Sequence, residues 1–102
     1  MTPDDPRVTK LTKVPVGDML VDFRLALIEV ARVTALGNAK YGEPGSWRSV
    51  PDFERVYFNA KARHAISALV EPEDEESGLP HLAHEAWNAL ALLQHRLEAE
   101  EG

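Results

Sequence analysis

The chain contains no cysteine, which excludes disulfides, thiolate metal sites and a cysteine nucleophile together. None of its apolar runs approaches the roughly 18 residues of a membrane-crossing helix. The first residues, Met1-Thr-Pro-Asp-Asp-Pro-Arg7, lack the hydrophobic segment of a signal peptide, so a cytoplasmic protein is expected. Positive charge is scarce: 11 Lys and Arg stand against 17 Asp and Glu, for a net charge of −6. That balance argues against binding a nucleic-acid polymer or an anionic membrane, since both call for clustered cations. Small phosphorylated substrates stay open, because a bound divalent cation inverts the local sign. Also missing are any sustained two-residue alternation, any internal repeat and any GxxxxGK[ST] phosphate loop. Ser46, Ser49 and Ser77 show no His/Asp relay in sequence that would make a nucleophile of them.

What is present is helical. With 102 residues there is room for one domain, whose modest core would gain from self-association. Residues 1–17, with three prolines in the first fifteen, read as an irregular arm, and 18–102 as a single all-α domain. A first helix is expected from an Asp18 cap to about Leu36, with Leu20, Phe23, Leu27, Val30 and Thr34 on one stripe. Val21, Leu25, Ile28 and Ala35 form another, so this helix should be covered on more than one side. Gly37-Asn38 should end it. A second helix should begin near Ser49 or Val50, run to about Val70 and stop at Pro72. A third, from Leu79 or Pro80 to about Glu98, carries an apolar seam of Leu79, Leu82, Ala83, Ala86, Leu90, Leu93 and Leu97. The expected fold is therefore an all-α bundle of three main helices, completed by oligomerisation.

The chemistry concentrates between the second and third helices. Glu71, Glu73, Asp74, Glu75 and Glu76 crowd a loop that could simply be a solvated turn. Directly after it, His81, His84, Glu85 and Asn88 fall at i, i+3, i+4 and i+7, which is one helical face. Carboxylates suit Mg²⁺ and Mn²⁺, and imidazole suits the latter. A helix N-terminus disfavours imidazolium and so keeps such rings able to act as ligands. His64 lies on an apolar stripe beside Tyr57, Ala60 and Ser67, where a hydrogen-bonded core histidine is the plainer reading. The Gly37–Arg48 segment offers Lys40 to a phosphate, and Tyr41 and Trp47 to a base, although Trp47 could equally plug the core.

Glu29-Val-Ala-Arg-Val33, Gly37, Lys40-Tyr41-Gly42, Trp47, Arg63-His64 and Glu76-Ser-Gly-Leu-Pro-His-Leu-Ala-His84 with Asn88 together resemble the small all-α phage dATP/dGTP diphosphohydrolases, relatives of the MazG-like pyrophosphohydrolases. The resemblance runs from about Asp18 to Leu93. It implies hydrolysis of purine deoxynucleoside triphosphates to monophosphate and pyrophosphate with Mg²⁺ or Mn²⁺. It further implies a homodimer or homotetramer in the host cytoplasm, supplying dGMP to a phage that uses 2-aminoadenine. Under it, Glu71, Asp74, Glu76 and His81 hold metal, and Glu76 or Glu29 accepts the water's proton. Lys40, Tyr41, Trp47, Arg63, His64, His84 and Asn88 bind substrate. The chain departs from MazG-like enzymes in lacking EExxE, and its ExxD, Glu71-Pro-Glu-Asp74, spans a proline. The competing reading is a non-enzymatic acidic helical adaptor or inhibitor.

Overall fold

The computed structural model describes residues 13–101. It has four α-helices: α1, Val16–Asp22; α2, Arg24–Tyr41; α3, Phe53–Ser67; and α4, His81–Glu101. A 3-10 turn, Ser46–Ser49, lies between α2 and α3. Among the described residues there is no strand, only an isolated bridge between Glu73 and Pro80. The chain is all-α, as expected.

The helix ends differ from the sequence reading for identifiable reasons. Residues 1–12 of the expected arm lie outside the described residues, but Val16 and Gly17 are already helical. Asp18 is thus inside the first turn rather than its cap. The expected first helix breaks at Phe23, whose φ of −110° and ψ of 23° leave the α region. The Arg24 guanidinium donates to the Val21 carbonyl beside the break at 3.2 Å. Beyond it, α2 runs straight through Gly37 and ends at Gly42, where φ is +94°. A mid-helix glycine costs only about 1 kcal/mol, whereas a left-handed residue must end the helix. Lys40 and Tyr41 are consequently helical, not loop, residues. In the same way α3 begins at Phe53, after Pro51 and a left-handed Asp52.

The protomer's core is small. Phe53, Tyr57 and Ala91 form its centre, with Trp47, Val50, Trp87 and Leu92 packed around them. Aromatic pairs join these elements: Phe53 meets Tyr57 at 4.6 Å and stacks on His95 at 4.2 Å. The Trp87 indole N–H donates to Thr34 Oγ1 at 3.0 Å, tying α4 to α2. Yet α2 buries only Val33, so the expected covering on several sides is not met within one protomer.

The expected seam of α4 is met only in part: Ala83 is buried and Leu79 and Ala86 are half-buried. Leu82, Leu90, Leu93 and Leu97 are exposed, while His81, Ala83, His84, Asn88 and Ala91 face inward. The inward side combines these polar residues with Ala83, Ala91, Trp87 and Leu92, while Leu82, Leu90, Leu93 and Leu97 look out. The radius of gyration, 16.0 Å, exceeds the roughly 13 Å of a compact 100-residue domain.

Candidate functional site

The loop between α3 and α4 is stitched shut by its own backbone. Asp74 N–H donates to the Leu79 carbonyl, Gly78 N–H to the Asp74 carbonyl and His81 N–H to the Pro72 carbonyl. The Asp74 carboxylate also accepts the Ser77 N–H at 3.0 Å, an Asx-type turn. Gly78, at φ +75°, makes the closure possible. Space is not the issue there, because a Cβ would meet nothing within 4 Å. The left-handed backbone alone should make Gly78→Ala less stable by about 1–2 kcal/mol, measurable as a lower denaturant midpoint. A midpoint equal to that of the parent would show that the turn can rearrange freely.

This closure brings three histidines together. His64, in the last turn of α3, lies with its Nδ1 3.0 Å from Nδ1 of His81, the first residue of α4. Its ring stacks on His84, one turn further on, at 4.4 Å and 10°. Nε2 of His84 sits 2.8 Å from Ser77 Oγ and 3.8 Å from the Asp74 carboxylate. Serine and acid thus approach the same ring nitrogen, whereas a nucleophile relay needs the acid on the other one. Ser77 has a histidine that the sequence did not reveal, but not a relay. Its hydroxyl also accepts the Leu79 N–H, so it orients the loop.

Burial pushes the His64 and His84 pKa values down, and for both rings the nearby Asp74 only partly offsets this. Both are therefore neutral near pH 7. Burial raises the Asp74 carboxyl, but hydrogen bonds from Ser77, then the adjacent His84 and His64, carry it below its ordinary value. The result is an ionised carboxylate beside neutral imidazoles. Ligand atoms of His64, Asp74 and His81 lie within 4.8 Å of one another, a donor set that fits a divalent ion.

Two open clefts meet at this cluster. One, of about 530 Å³, is lined by Lys40, Arg63, His64, Asp74, Glu76, Ser77 and His84. The other, of about 480 Å³, shares Arg63, His64, Asp74 and Glu76 and adds Glu71, Glu75 and His81. Arg63 and His64 both face the site despite their adjacency in sequence. A recess of about 160 Å³ adjoins the first cleft through Lys40 and His84, and is walled by Val33, Tyr41, Tyr57, Trp87 and Asn88.

Not every expected residue arrives there. Glu29 lines none of these spaces; its side chain is 35% exposed and pairs with Arg32 at 3.4 Å. It is one of the two expected proton acceptors, and within the protomer it stands away from the clefts. Trp47 also lines none of them, packing against Phe53 and Trp87 with the Arg48 guanidinium over its ring. Asn88 is buried and donates to the His84 carbonyl four residues back, a structural bond for part of the amide. Ser77, Tyr57 and Trp87 are among the lining residues to which the sequence reading gave no place in the site. Asp74-x-x-Ser77-Gly78 was the available signal for the first, as a turn closed by an Asp side chain; Tyr57 read only as part of an apolar stripe.

The family model for "dATP/dGTP diphosphohydrolase, N-terminal" matches residues 7–102. The chain belongs to this family. No curated protein and no solved structure matches it. The diphosphohydrolase family match takes in every residue of both clefts and the recess. Among the described residues of this diphosphohydrolase-family chain, no helix is long and apolar enough to cross a membrane.

Proposed function

We propose that the chain hydrolyses purine deoxynucleoside triphosphates, dGTP and dATP, between the α and β phosphates, supplying dGMP to a phage that builds DNA with 2-aminoadenine. The observation that carries this reading is the cleft itself. Lys40 and Arg63 line it together with Asp74 and Glu76, and His84 is shared with an aromatic recess. Cations for phosphate, acids for metal and a flat apolar slot for a base are the three needs of a nucleotide site.

Glu76, with Glu75 on the same loop and Asp74 at the junction of the two clefts, would hold Mg²⁺ or Mn²⁺ accompanying the triphosphate. Such ions neutralise phosphate charge and make bound water more acidic. Glu76 lines both clefts and is exposed, so it can take a proton from a water attacking the α-phosphorus. The water oxygen bonds to that phosphorus, the bond to the bridging oxygen breaks, and pyrophosphate leaves beside Lys40 and Arg63. Tyr41, Tyr57 and Trp87 would flank the base, and Asn88 offers the rest of its amide to the base edge.

The protomer would act as a homodimer or homotetramer. Its exposed Leu25, Ile28, Leu90, Leu93 and Leu97 are an apolar surface unusual for a lone chain. The direct test is incubation with dGTP and Mn²⁺, followed by chromatography of the products. Equal amounts of dGMP and pyrophosphate are expected. Orthophosphate with dGDP would mean a different bond is cut, and no turnover of any deoxynucleotide would favour an adaptor.

A further inference from the structure

We propose that His64, Asp74 and His81 form a resident site for one transition-metal ion of the Mn²⁺ or Zn²⁺ class, distinct from cations arriving with a triphosphate. The three residues come from three separate segments: the end of α3, the acidic loop and the start of α4. Their ligand atoms converge to within 4.8 Å. The Nδ1 atoms of His64 and His81 are 3.0 Å apart. Two metal–nitrogen bonds of about 2.1 Å set at a right angle would put their nitrogens about 3.0 Å apart. With no ion bound the two rings share a hydrogen bond at that distance, and the same two nitrogens stand close enough to become neighbouring ligands on one six-coordinate ion.

His81 is 4% exposed, and its Nε2 is buried without a hydrogen-bond partner. An imidazole held this way is costly unless the ring has another use. With Nδ1 as the ligand, Nε2 carries the ring proton, and the Glu71 carboxylate 3.8 Å away is on hand to receive it. That pairing is the usual support for a metal-bound histidine. The other two ligands are also pre-oriented, Asp74 by the Ser77 N–H and His64 by stacking on His84. Two imidazoles and one carboxylate select for Mn²⁺, Zn²⁺ and their neighbours, whereas Mg²⁺ prefers oxygen and retains its waters. The use of the ion in catalysis rests on the hydrolase reading; its binding does not.

The test uses the full chain, stripped with chelator and titrated with MnCl₂ alone, free Mn²⁺ being read by electron paramagnetic resonance. One Mn²⁺ per chain is expected, retained under a large excess of Mg²⁺. His64→Gln and His81→Gln should each weaken binding at least tenfold, while Glu73→Gln leaves it unchanged. The visible spectrum of the Co²⁺-loaded parent protein provides a second readout, independent of whether the variants fold. It should show the intensified bands of a low-symmetry, nitrogen-ligated ion. Absence of Mn²⁺ and Co²⁺ binding, or displacement by equimolar Mg²⁺, would overturn the proposal. Cleavage of dGTP with Mg²⁺ by a protein that binds no Mn²⁺ alone would sink the resident site and spare the hydrolase. Tight Mn²⁺ binding without turnover of any deoxynucleotide would do the reverse.

Discussion

Asp74→Asn should lower dGTP turnover about 100-fold or more while leaving the helical circular-dichroism spectrum unchanged. The substitution keeps an oxygen for the Ser77 N–H, so the turn that precedes α4 can still close. What it removes is a negative charge next to His64 and His84, and an oxygen ligand from the set that includes His81. The acid also lies where both clefts meet. Glu73 supplies the matched control, since it is an exposed acid of the same loop that lines neither cleft. Glu73→Gln should act like the parent. If both variants retained turnover within a factor of about three, the acidic loop would be a solvated turn and the site would lie elsewhere.

The second large effect concerns assembly. Light scattering should return a multiple of the 11.3 kDa chain mass, and Leu93→Glu should shift the population toward monomer with a lower unfolding midpoint. Leu93 is 54% exposed in the protomer, beside Leu90 and Leu97. It borders a groove of about 510 Å³ formed with Phe58 and Leu92, and a second formed with Val30 and Trp47. Burying one leucine contributes about 1.5–3 kcal/mol, and a two-fold interface counts each substitution twice, so about 3–6 kcal/mol per dimer is at stake. With so few residues buried within one chain, much of that energy sustains the fold as well as the contact. A parent protein that stays folded and monomeric at micromolar concentration would remove this reading.

These two results bear on how much could be read from the sequence. Helical class followed from apolar spacing, and the existence of the three long helices did not depend on their ends. The ends themselves were harder, because Gly37 and Gly42 are the same residue type and only backbone geometry distinguishes a tolerated helical glycine from a left-handed terminator. The α4 pattern was legible as two faces but not as inside and outside. Periodicity gives the angle between His81, His84 and Asn88 on one side and Leu90, Leu93 and Leu97 on the other. It does not say which side meets α3 and which faces outward.

The sequence alone determined the all-helical class, the absence of thiol chemistry, the acidic balance and the grouping of His81, His84 and Asn88 on one face. Local rules govern each of these, namely composition and the 3.6-residue turn. Only the tertiary structure decided that His64 joins Asp74 and His81, that Ser77 pairs with His84, and that Glu29 and Trp47 stand apart. The histidine, acid and serine contacts depend on how the segment 68–80 folds back between two helices. Backbone N–H groups of Asp74, Gly78 and His81 donating to the Leu79, Asp74 and Pro72 carbonyls set that path, and no periodicity in the chain encodes it.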